Sequence, residues 1–277
     1  MEVFHSKNAK LFQRLPNNTS NIGSIVTMGW PKISAYIDFQ RLLFIWRVLT
    51  LPMDSIYKIV MLYRILHIYH SDHMYFGSPV CKMLQTCYRY NLLNTVITAI
   101  MNGEYVGMDK WKQWTSRIVF DASNRSCRAT SFLYKSLTLL SSDSYQNGII
   151  GWWVYSKYAP EDFKKCANII RLLLNSYRLH DDVCTLCLEG TVNATHILFG
   201  CVMLEDRRSA LWEQVLDSCP QRLADELTNM GIEARTILIL NAFNCPYVRE
   251  WSLSYERLCK FINIMYCTYS SAVNFKL

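Results

Sequence analysis

"RLHDDVCTLCLEGTVNATHILFGC", residues 178–201, places Cys184, Cys187, His196 and Cys201 at the spacing C-x2-C-x8-H-x4-C. Zinc prefers four tetrahedral nitrogen or sulfur ligands, and two cysteines separated by two residues can clamp one side of the ion from a single tight turn. The intervening segment, with Gly190 available for a reversal, is long enough to return His196 and Cys201 to the opposite side. Four protein ligands close the coordination sphere, so the spacing points to one structural zinc in a small knuckle and away from zinc catalysis. The alternatives for the same residues are a redox-active CxxC pair and unliganded thiols in a chain with eleven cysteines. The knuckle itself is expected to hold too few apolar residues to fold without metal.

Outward from this segment the chain is punctuated by few breakers. Half of its 277 residues are hydrophobic, 18% are charged, and there are ten glycines and seven prolines, a composition that suits packed helices and excludes disorder. Residues 1–30, with "LPNNTSNIGS", read as a loose lead-in. From Ile33 the pattern becomes helical, with Ile33, Ile37, Phe44 and Val48 on one stripe and Asp38, Gln40, Arg41 and Arg47 largely off it. Asp54 is placed to cap a second helix reaching His70, with Ile56, Ile59, Leu62, Ile65, Leu66 and Tyr69 as its core face. A third helix opens at Ser78 and Pro79.

Residues 92–140 read as three or four short helices joined through "NGEYVG" and "DASNRS". Within them Trp111, Trp114 and Ile118 share one side that is read as core and not as a stacking platform. "SSDSYQNG", residues 141–148, is the best linker candidate. Pro160 opens a helix to Tyr177 with Phe163, Ala167, Ile170, Leu173 and Leu174 facing inward, and further helices follow Cys201. Alternating strand patterns are scarce. The expected fold is mainly α: a bundle-like helical array with one small embedded CCHC zinc knuckle containing a short hairpin, organised as a lead-in 1–30, a helical domain 31–145 and a second helical domain 146–277.

Charge is unevenly distributed. Residues 1–180 hold 21 Lys and Arg against 10 Asp and Glu, whereas residues 181–277 hold 8 against 12. Lysine and arginine clusters attract phosphate backbones, so RNA or DNA is the expected partner, single-stranded or structured. The candidate contacts beside the knuckle are Lys164, Lys165, Arg171, Arg178, Arg207 and Arg208, with Tyr177 or His180 able to stack on an unpaired base. No apolar run reaches membrane-spanning length, and "MEVFHSKNAK" carries no apolar core of a signal peptide. The expectation is an intracellular protein, nuclear or cytoplasmic and not secreted, whose remaining cysteines are small core residues.

The run from the zinc ligands into "VMLEDRR" resembles the C-terminal, post-polymerase segment of non-LTR (LINE-type) retrotransposon reverse transcriptases. There a similarly spaced CCHC motif is followed by an arginine, and Ile197, Leu198 and Arg207 match that pattern. "GWPKISAYIDFQRLLFIWRVLTLP", residues 29–52, is similar to a helical stretch that follows the polymerase in the same family. The resemblance covers most of residues 29–215 and implies binding of the element's RNA or target DNA. A polymerase needs an aromatic residue before paired aspartates on a hairpin to hold magnesium, and the only adjacent pair, Asp181 and Asp182, lacks it and runs straight into a zinc ligand. No endonuclease or ribonuclease H carboxylate set is present either, so the expected protein is not an enzyme. The other readings are a helical interaction scaffold with a purely structural zinc, and a relic open reading frame.

Overall fold

The computed structural model describes residues 1–70, 77–140, 150–176, 183–241 and 252–274. Helices dominate them, and the only β pairing is an isolated antiparallel bridge between Val183 and Thr191. Among these residues no helix is long and apolar enough to cross a membrane. The proposed linker 141–148 lies outside the described residues. Two compact units divide the chain. One comprises Pro31–Ser126 with Glu2, and the other residues 3–30 together with 127–277.

The unit of residues 31–126 is built from α3 (Ile33–Leu49), α4 (Ile56–His70), α5 (Pro79–Arg89), α6 (Leu93–Asn102) and most of α7 (Met108–Ser131), after α1 (Glu2–Phe12) and α2 (Asn21–Thr27). Glu2 caps α3: its carboxylate accepts from the free backbone N–H groups of Ile33 and Ser34 at 3.3 and 2.9 Å. The centre of this core is a pair of fully buried indoles, Trp46 of α3 and Trp111 of α7, stacked at 3.9 Å with 9° between their planes. Each indole N–H is satisfied. Trp46 donates to the Val106 carbonyl and Trp111 to that of Leu42, both at 3.0 Å.

Helical faces differ here from the sequence expectation. The core side of α3 is Ala35, Phe39, Leu42, Leu43, Ile45, Trp46, Val48 and Leu49, so Val48 is buried as expected while Phe44 is half exposed. Asp38, assigned to the polar side, is buried, and its carboxylate accepts from Arg41, Arg89, Thr86 and Tyr90. Burial and the Asp38 carboxylate push the Tyr90 hydroxyl up to about 12. On α4 it is Lys58, Met61 and Ile65 that are buried, whereas Ile56, Ile59 and Leu66 stand exposed. Buried Lys58 donates from Nζ to the Leu51 carbonyl at 2.9 Å and lies 4.8 Å over the Tyr105 ring, so its charge is satisfied without a carboxylate. "DASNRS" is not a connection but the interior of α7.

The second unit contains α1 and α2, then α8 (Gly151–Tyr158), α9 (Phe163–Leu173), α10 (Glu205–Ser218), α11 (Gln221–Asn229), α12 (Ile232–Asn241) and α13 (Ser252–Asn274). Residues 1–30 are therefore not a loose lead-in. Ala9, Leu15, Ile25 and Val26 enter the core. The side chain of buried Gln13 accepts from Thr27 at 2.6 Å and from the Trp153 indole at 3.1 Å, and donates to the Ser24 carbonyl at 2.6 Å. Gly23 lies so close to the rest of the core that a Cβ there would meet Leu174 at 2.7 Å and Leu137 at 2.8 Å. The central helix is α9, buried over nearly its whole length and packed against α8, α12 and α13, with Phe163, Ala167, Ile170, Leu173 and Leu174 facing inward as its periodicity requires.

Candidate metal centre

Cys184 and Cys187 lie on a tight turn closed by the Leu188 N–H donating to the Cys184 carbonyl at 2.8 Å. The Cys184 N–H donates to the Gly190 carbonyl at 3.0 Å, folding the loop back on itself. The reversal uses left-handed backbone at Leu188 and Gly190, φ 60° and 70°. The Asn193 side chain then caps the next turn by accepting from the His196 N–H at 2.7 Å. His196–Gly200 is a π-helical turn, closed by the Cys201 N–H on the His196 carbonyl at 2.7 Å. An α-helical turn would rotate residues five apart away from each other; the wider turn keeps His196 and Cys201 on one side. Gly190 and Gly200 leave room for the imidazole, since a Cβ on either would sit 3.4 or 3.3 Å from its Nδ1.

The result is a cluster in which the ligand atoms of Cys184, Cys187, His196 and Cys201 all lie within 4.8 Å of one another. Cys184 Sγ is 3.9 Å from Cys201 Sγ, and Cys187 Sγ is 3.5 Å from His196 Nε2. A tetrahedron with metal–sulfur bonds of about 2.3 Å and metal–nitrogen bonds of about 2.1 Å has edges of about 3.8 Å between sulfurs and about 3.6 Å between sulfur and nitrogen. Two of the separations thus match the edges of a closed tetrahedral site, and all four donors lie within 4.8 Å.

Electrostatics prepare one sulfur to carry charge. Burial opposes ionisation of Cys184, but the backbone amides of Cys187 and Leu186, together with His196 and the Cys187 thiol, outweigh it and bring the Cys184 thiol down to about 6. Cys201 is held up by burial and by its charged neighbour Cys184. For Cys201 to ionise as well, 3.9 Å from the Cys184 sulfur, a cation would have to lie between the two.

The knuckle is not an isolated apolar-poor loop. Ala194, Ile197 and Leu198 are fully buried and Phe199 nearly so, all in the same core as α9 and α13. Phe199 packs edge-on against Trp212 at 5.1 Å and beside Phe261 at 5.8 Å, and Arg235 lies over both Phe199 and Trp212.

The candidate nucleic-acid contacts fare differently. Arg208 is buried and cannot reach phosphate: its guanidinium donates to the Cys201 carbonyl and pairs with Glu205, locking the last ligand's backbone to α10. Lys165 pairs with Asp162. Arg171 donates to the Arg14 carbonyl at 2.6 Å and to Asn168 at 3.3 Å, and Arg207 donates to Thr268 at 2.9 Å. Lys164 is exposed on α9, while Tyr177, Arg178 and His180 lie outside the described residues, as do Asp181 and Asp182. Among the described candidates, Lys165, Arg171, Arg207 and Arg208 are thus engaged by groups of the protein itself. The role of Arg208 was hidden in sequence because an arginine seven residues after a ligand carries no signal of where its guanidinium turns.

Arg208→Ala is expected to cost about 1–3 kcal/mol, because the buried Cys201 carbonyl loses its charged donor and keeps only the Leu204 N–H at 3.2 Å. The loss should appear as a lower urea midpoint with metal stoichiometry retained. Arg208→Lys, with one donor group in place of a fork, should recover part of it.

Compared with protein-family models, with curated proteins and with solved structures, the chain finds no match in any of the three.

Proposed function

We propose that Cys184, Cys187, His196 and Cys201 hold one structural zinc ion, and that the chain is a non-catalytic RNA- or DNA-binding module similar to the post-polymerase segment of a non-LTR retrotransposon reverse transcriptase. The observation that carries this reading is the donor set, whose 3.9 and 3.5 Å separations match the edges of a zinc tetrahedron with no position left for substrate. Zinc would serve as a cross-link, joining the turn at Cys184–Cys187 to the π-helical turn at His196–Cys201. The excess of lysine and arginine over residues 1–180 supports a polyanionic partner.

Internal engagement of Lys165, Arg171, Arg207 and Arg208 favours a second reading, a helical scaffold in which zinc is purely structural. Metal analysis of purified protein, followed by titration with single-stranded RNA and DNA at stepped salt, separates the two. The nucleic-acid reading expects one zinc per chain and an affinity whose logarithm falls linearly with that of salt, by about 0.7 for each phosphate neutralised on a single strand. Zinc-loaded protein that binds neither RNA nor DNA at low ionic strength would establish the scaffold instead.

A further inference from the structure

One row of exposed cations runs along α7. Trp111, Thr115, Val119 and Ser123 recur every fourth residue and are buried, which fixes the inward side of this helix. Lys110, Trp114, Arg117 and Arg125 recur at steps of four, three and eight and occupy the opposite side. Lys110, Arg117 and Arg125 are exposed, and among the described residues none of them forms an ion pair or a side-chain hydrogen bond. Asp109 and Asp121 are the acids of the helix, and only Asp121 shares this face. Trp114 is 42% exposed in the middle of the row, one helical turn from Lys110 and from Arg117. Its inner edge meets Trp111 at 5.6 Å and 82°, and Trp111 is itself stacked on Trp46. The exposed ring is thus backed by two buried indoles, which limits the rotamer freedom that binding would have to remove.

An anchored aromatic ring between free cations has the chemistry of a single-strand platform. We infer that this face of α7 docks single-stranded nucleic acid, with an unpaired base stacked on Trp114, phosphates on Lys110 and Arg117, and Arg125 extending the track. A duplex keeps its base faces inside the stack, so an indole on a convex helix surface selects for a single strand. The inference rests on the nucleic-acid reading above and assigns its surface.

The test uses the full zinc-loaded chain and fluorescently labelled oligo(dT) and oligo(U), with binding followed by anisotropy at stepped KCl. Replacing Lys110, Arg117 and Arg125 together by glutamine should flatten the salt dependence by about two units, three phosphate contacts at about 0.7 each. Trp114→Ala should weaken binding about 5- to 150-fold at every salt concentration while leaving the slope in place. Because that change also removes an edge contact with Trp111, Trp114→Phe serves as the conservative partner and should restore much of the affinity. The three glutamine replacements are at exposed positions and report independently of folding. If wild-type protein binds and these variants bind equally tightly with an unchanged slope, α7 is only a solvated face and the nucleic-acid reading survives elsewhere on the chain. If wild-type protein binds neither oligonucleotide, both readings fall. Capture by anionic phospholipid vesicles but not by oligonucleotide, lost in the glutamine variant, would reassign the same face to a membrane surface.

Discussion

Cys187→Ser, or removal of the metal by a chelator, is expected to unfold the whole unit formed by residues 3–30 and 127–277, not the knuckle alone. Binding of a structural zinc carries an apparent free energy of about 10–16 kcal/mol, comparable with the entire stability of an ordinary domain, about 5–15 kcal/mol. A free-standing knuckle could lose that stabilisation and leave its neighbours folded. Here Cys184, Ala194, Ile197, Leu198 and Cys201 are fully buried in one core with α9 and α13, and Phe199 sits against Trp212 and Phe261. Without the ion, two sulfurs 3.9 Å apart remain with burial opposing their charge, and the apolar residues between the ligands lose their anchor. Hydrogen exchange with and without chelator should show loss of protection across α8, α9, α10 and α13, while residues 31–126, which have their own core, keep theirs. Loss confined to residues 183–201, with α9 and α13 still protected, would show the knuckle to be an autonomous module and would refute the coupling.

The cluster of Cys184, Cys187, His196 and Cys201 was legible in sequence because its chemistry is local: two pairs, each on a single turn, need only correct spacing. The π-helical turn that makes His196 and Cys201 neighbours was not legible, since an H-x4-C pair is compatible with several backbones. The mainly helical class was readable from periodicity, yet the phase of α4 was not. That helix carries apolar residues around its whole circumference, so no polar stripe marks the outside, and the buried member proved to be Lys58, whose ammonium finds the Leu51 carbonyl and the Tyr105 ring. Residues 1–30 misled for a different reason. Their turn-prone composition is real, with Ser20 capping α2, but what holds them is Gln13 against Trp153 and Gly23 against Leu174, partners more than a hundred residues away. The cations beside the knuckle show the same limit at shorter range. Lys165 lies three residues from Asp162, and whether such a lysine faces solvent or pairs back depends on the turn before it. Trp114 reverses the case: grouped with Trp111 as core, it emerges because three steps of about 100° leave it about 60° from Trp111, on the side away from the buried Thr115, Val119 and Ser123.

Trp111→Ala should destabilise the unit of residues 31–126 by about 3–5 kcal/mol, the range for truncating a fully buried aromatic side chain. Three losses converge at this position. The cavity left behind is bounded by Trp46, itself fully buried and held by the Val106 carbonyl, so collapse around it is restricted. The stacking geometry, 3.9 Å and 9°, disappears along with the edge contacts to Trp114. The Leu42 carbonyl inside α3 also loses its indole donor. For a unit of this size each kcal/mol lowers the melting temperature by roughly 4 °C or more, so a drop of at least about 12 °C is expected. Trp111→Phe, which keeps an aromatic ring but not the N–H, should fall between wild type and alanine. Because the Cys184, Cys187, His196 and Cys201 cluster belongs to a different core, metal stoichiometry and the hydrogen-exchange protection of α9 and α13 should not change. A zinc-bearing unit that loses protection in step with residues 31–126 would instead show that the two cores unfold as one. Oligonucleotide binding gives a second readout: with Trp111 gone, Trp114 loses the wall that orients it, so affinity should fall toward that of Trp114→Ala even at temperatures where the variant is folded. Folded Trp111→Ala protein with undiminished affinity would mean that Trp114 needs no backing, or that bases do not stack there.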